Sequence, residues 1–157
     1  MIAWSEFTED EYANVWDRFY AEFKFRPDYN ERSRPAISEP PPFVTFDLSD
    51  NMTVEARTEI DRMFLDSFRI VTPTTRHMFW LDWQHTSYRF EPHVADCFGP
   101  MGWYPDGDYY IFLADDFSFG TFGHPWQESL CVFGTSLLGL VEQPLRERLT
   151  VVREVTR

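Results

Sequence analysis

The stretch Pro105–Gly134, PDGDYYIFLADDFSFGTFGHPWQESLCVFG, decides the fold. Pro105-Asp106-Gly107 is a turn signal with a mechanism: proline presets one backbone dihedral and glycine takes a positive one. DYYIFLA then reads as a strand and Asp115-Asp116 as a turn. FSFGTFG and ESLCVFG read as two further strands meeting at the His124-Pro125 corner. Strands with connections this short belong to an antiparallel sheet.

Working outward, MFWLDWQ (Met78–Gln84) is apolar on both faces except at Asp82, so it should lie centrally in the sheet. TSYRFEPH continues as a short extended piece. FVTFDLS alternates Val44, Phe46 and Leu48 with Thr45 and Asp47, as a strand does. VVREV, near the end, is expected at an edge.

Helices flank these strands. Thr8 with Glu11 three residues on forms a capping box, and Phe7 with Tyr12 fits a hydrophobic staple. Tyr12, Val15, Trp16, Phe19, Tyr20 and Phe23 recur at helical spacing, predicting a helix over 9–25 stopped by Pro27. Ile60, Met63, Phe64 and Phe68 mark a second over 53–68. Thr135 or Ser136 caps a third through LLGLVEQPLRERL, which Pro144 should kink or split. Residues 26–42 form a proline-rich linker ending in EPPP. The expectation is one α+β domain over 1–157, a mainly antiparallel sheet with helices packed on one side.

Net charge is -12 with pI near 4.6. Repulsion from phosphate argues against nucleic acid as a partner. No apolar run approaches the roughly 18 residues of a membrane span. The opening MIAWSEFTEDEY has neither a basic nor an apolar leader segment, so a cytoplasmic protein is expected. One lysine, Lys24, stands against thirteen arginines, a bias of the kind a GC-rich genome imposes. The two cysteines, Cys97 and Cys131, are too few for a disulfide framework and are expected reduced.

The motifs of common chemistries are missing. His77, His85, His93, His124 and the cysteines offer neither C-x-x-C nor H-E-x-x-H, so no metal is expected. Asp82 and His85, three apart on a strand, would point to opposite faces. Cys131 lies between apolar neighbours, where a thiol is inert, and no G-x-S-x-G surrounds Ser118 or Ser129. GTFG is neither a Walker loop nor a dinucleotide fingerprint. Asp106/Asp108 and Asp115/Asp116 read as solvated turn residues. No catalytic residue and no cofactor are assigned.

In GHPW, Gly123 permits an unusual backbone angle and Pro125 biases His124 toward extended geometry. His124 should anchor the bend by bonding a backbone carbonyl or an aspartate, with Trp126 folded over it. If a pocket exists, Asp82, Trp83, His85, His124 and Trp126 are the residues expected to line it.

The segments VTFDLS, WLDWQHTSYRFEPH, YANVWDRFYAEFKFRP and the quoted Pro105–Gly134 stretch together resemble an uncharacterised bacterial family common in streptomycetes, domain of unknown function 2716. The resemblance implies a bacterial single-domain protein and brings no activity. Acidity, aromatic wealth and the absence of catalytic motifs lead to one functional expectation: a non-enzymatic interaction protein, an inhibitor- or immunity-like partner of a basic protein. The alternative is a small-molecule-binding protein or enzyme with a pocket near His85 and His124.

Overall fold

A computed structural model describes residues 2–28, 32, 34–98 and 101–156. In chain order the elements are β1 (Trp4–Glu6), α1 (Glu9–Phe23), β2 (Phe43–Asp47), α2 (Val54–Val71), β3 (Met78–Asp82) and β4 (Tyr88–Phe90). Then come β5 (Tyr110–Ala114), β6 (Gly120–His124), β7 (Ser129–Phe133), α3 (Thr135–Arg146) and β8 (Val151–Val155). All strands join one sheet in the order β1-β4-β3-β5-β6-β7-β2-β8, and every pairing is antiparallel. The α+β class and the antiparallel sheet expected from the sequence are therefore found.

The expected one-sided packing is corrected. Side chains alternate across each strand, and here both sets are buried. Met78, Trp80, Phe112, Ala114, Val44, Phe46, Leu130 and Val132 face a core shared with α2 and α3. Phe79, Leu81, Ile111, Leu113, Phe43, Cys131 and Phe133 face a second core, covered by Val15, Trp16, Phe19 and Phe23 of α1. A sheet apolar on both sides must be covered on both sides.

Local chemistry explains most boundaries. Thr8 Oγ1 accepts the Glu11 amide at 3.1 Å, and Thr53 Oγ1 accepts that of Ala56 at 3.1 Å. The first helix stops at Phe23 rather than Phe25 because Lys24 turns left-handed (φ 52°), and Phe25 folds into the core instead. The second runs three residues past its expected end, to Val71. The third is capped neither by Thr135 nor by Ser136; Gly134, at φ 95°, precedes it without a side-chain bond. It continues as one element past Pro144 and ends two residues later, at Arg146. β1 is an addition to the expected strands: it is three residues long and pairs with β4.

Candidate functional site

One end of the sheet gathers the chemistry. Here β3 finishes at Asp82, which pairs with Tyr110 at the start of β5. Next to it β6 finishes at His124, opposite Ser129.

Past Asp82 the chain does not remain extended, contrary to the strand expected through Gln84. It turns at once: the His85 amide reaches the Asp82 carbonyl at 3.3 Å, and Gln84 takes a positive φ of 79°. Ser87 pins the turn, its Oγ accepting the Asp82 amide at 3.4 Å and Trp16 Nε1 of α1 at 3.1 Å. His85 therefore returns to Asp82 rather than facing away from it. Asp108 arrives from the bend that precedes β5, placed by the turn at Gly107 (φ 76°) and held by the Tyr109 amide on its Oδ1 at 2.8 Å.

His85 Nδ1 lies 3.1 Å from Asp82 Oδ1 and 2.9 Å from Asp108 Oδ2. Both aspartates are buried, at 8% and 6% exposure, whereas the imidazole is 66% exposed. Asp108 is thus no solvated turn residue. It is the member that sequence reasoning missed, and the PDG turn was its one signal. Burial, then the hydrogen bond with Asp108, pushes the Asp82 carboxyl up to about 7, although His85 opposes the rise. The bond and charge of Asp82 raise His85 in turn. Among the described residues, no arginine or lysine bonds either carboxylate. Tyr12 and Tyr110 lie within reach of the Asp82 charge, and burial together with that charge raises both phenols. Trp83 Nε1, next along the chain from Asp82, donates to the exposed Tyr20 hydroxyl at 3.1 Å.

His124 and Trp126 occupy a neighbouring aromatic cluster. Their rings lie 5.0 and 5.2 Å from that of Tyr109, which also meets Trp83 at 5.7 Å. His124 is 2% exposed. Its Nδ1 accepts the Gln127 amide at 3.1 Å, not the donor role expected of it. Burial, and then repulsion from Arg153, lowers its pKa to about 4. Of the expected residues, then, Asp82 and His85 meet directly with Asp108, Trp83 joins both groups, and His124 and Trp126 belong to the second.

The other nucleophile and ligand candidates lie elsewhere. His93 Nε2 bonds the Thr72 carbonyl at 2.6 Å, and His77 packs on Phe79. Both cysteines are free: Cys97 is exposed, and burial pushes the Cys131 thiol up. A neutral buried thiol is a poor nucleophile.

A two-faced antiparallel α+β sheet with a carboxylate–imidazole cluster at one end defines the architecture. The chain belongs to the family of proteins of unknown function DUF2716, whose model matches residues 6–138. It is similar to the uncharacterized protein YxiI of Bacillus subtilis (strain 168), with 32% identity over 155 residues covering 90% of this chain and 94% of that one. No solved structure matches the chain. Among the described residues, no helix is long and apolar enough to cross a membrane.

Proposed function

We propose that the protein is a non-enzymatic receptor for positively charged ligands, with the charge held at Asp82 and Asp108 beside His85. The observation that carries this reading is the pair of buried, adjacent carboxylates bonded, among the described residues, by no lysine or arginine. Two like charges in a low-dielectric site are costly unless a cation joins them. A proton held between Asp82 and Asp108, and the imidazolium form of His85 that the two carboxylates favour, offset that cost in part. A net charge of -12 would draw cations toward the molecule over a Debye length of about 8 Å at physiological salt.

The finer form of the reading is an inhibitor- or immunity-like partner of a basic protein. Tyr12, Trp83 and its partner Tyr20 are residue types that anchor interfaces, and an acidic rim would speed association at low salt. A hexa-arginine peptide is the direct probe, titrated while tryptophan fluorescence is followed. Binding should weaken at least tenfold in Asp82→Asn/Asp108→Asn and fall with rising salt. Equal binding by the wild type and the variant would leave the acidic surface as a solubility device alone.

The alternative is a small-molecule site or enzyme near His124. His124 and Tyr109 line a cleft with Arg26, Asp28 and Ala36 of only about 10 Å³, room for one water at most, so a small molecule would have to open it. A small molecule retained stoichiometrically in native mass spectrometry, and lost in His124→Ala, would favour that reading.

A further inference from the structure

We infer that the cation taken by Asp82, His85 and Asp108 is a divalent first-row transition metal ion, a conclusion that rests on reading the cluster as a cation receptor. The geometry is that of a ligand set. Zinc and similar ions hold nitrogen and carboxylate oxygen donors at about 2.0–2.1 Å with inter-ligand angles of about 90–109°, which places neighbouring donors about 2.9–3.4 Å apart. His85 Nδ1 stands 3.1 and 2.9 Å from one oxygen of each aspartate, and all three donor atoms fall within 4.8 Å of one another.

The donor chemistry selects the class. Magnesium and calcium prefer all-oxygen cages, whereas an imidazole beside carboxylates suits zinc, manganese and iron. The surroundings already orient the donors: the Tyr109 amide holds Asp108 Oδ1, and Ser87 fixes the turn that returns His85 to Asp82. Such supporting bonds set ligand direction and tune affinity. Since His85 is 66% exposed, the ion would face solvent on that side and keep open positions for water or for a donor group of a further ligand.

The spacing hides this set from motif searches. Asp82 and His85 are three apart, but Asp108 comes 23 residues after His85, from the bend before β5.

Metal-stripped full-length protein is titrated calorimetrically with Zn²⁺, Mn²⁺ and Mg²⁺ separately, and with hexa-arginine as a further arm. One Zn²⁺ per chain is expected, with affinity in the order Zn²⁺ over Mn²⁺ over Mg²⁺ and a rise in melting temperature that grows with free metal. His85→Ala changes an exposed side chain and should fold normally. It should weaken Zn²⁺ at least tenfold, and Asp82→Asn/Asp108→Asn should abolish the one-to-one event. Zinc affinity unchanged in His85→Ala, or no stoichiometric metal in the wild type, overturns the inference. Peptide binding without metal binding removes the metal and leaves the receptor reading standing; failure of both removes both.

Discussion

Arg153 of β8 grips Glu39 of the proline-rich segment with two parallel hydrogen bonds, Nε to Oε1 at 2.8 Å and Nη2 to Oε2 at 3.0 Å. The same Nη2 reaches Gln127 Oε1 at 2.9 Å, and Thr45 Oγ1 donates to Glu39. Glu39, outside any helix or strand, is thereby fastened to the edge strand and to the turn after His124. The Glu39 side chain is only 5% exposed, so removing its partner strands a buried charge. Arg153→Ala should cost about 3 kcal/mol in urea unfolding, and adding Glu39→Gln should recover part of that loss.

The charge of Arg153 also bears on His124, whose pKa of about 4 lies well below the ordinary 6.5. Between those values the unfolded chain binds a proton that the folded chain refuses. Stability therefore rises with pH across about 4 to 6.5, and is lost on acidification through that window. The contribution at neutral pH is about 3 kcal/mol at most. In His124→Gln this part of the pH slope should vanish, and in Arg153→Ala the inflection should move to higher pH. A slope unchanged in His124→Gln would place the titration elsewhere.

Two glycines in the quoted stretch are fixed by space rather than by preference. A Cβ on Gly120 would overlap the Phe112 carbonyl oxygen, across the β5–β6 pair. Gly134 combines φ 95° with crowding, because a Cβ there would lie 2.6 Å from the Ser118 carbonyl oxygen. Gly120→Ala and Gly134→Ala should each cost at least about 2 kcal/mol or prevent folding, whereas Gly102→Ala, with open space around it, should be near neutral. Thermal melts of the three variants check this ordering.

The free cysteines give a chemical check on the core. Ellman's reagent should titrate one thiol, Cys97, in the native protein and both after denaturation, with melting temperature indifferent to reductant. Rapid modification of Cys131 in native protein would contradict its burial in the core that α1 covers.

These elements show what a sequence carries and what it does not. Periodicity locates all three helices and most strands, because each buries a stripe that repeats at its own period. The second core is legible too, in strands such as MFWLD that are apolar on both faces, but the helix that covers it is chosen by the chain path. β1 leaves no signal, being three residues long with two of them exposed. Asp82 and His85 both stand out in the sequence, yet their meeting depends on where β3 stops and how Gln84 turns. Asp108 reads as a solvated turn residue because its burial comes from neighbours distant in sequence. For His124, the rigid bend is visible and the direction of its hydrogen bond is not.

The central claim is that Asp82 and Asp108 are kept together for a cation rather than for the fold. Residues retained for function commonly reduce stability, and removing two adjacent buried carboxylates relieves repulsion and desolvation. The melting temperature of metal-free protein at pH 8, wild type against Asp82→Asn/Asp108→Asn, measures this directly. The account predicts a melting temperature for the variant equal to or above that of the wild type, with cation binding lost. A variant several degrees less stable than the wild type would contradict it, and would make the Asp82–His85–Asp108 cluster a structural clasp.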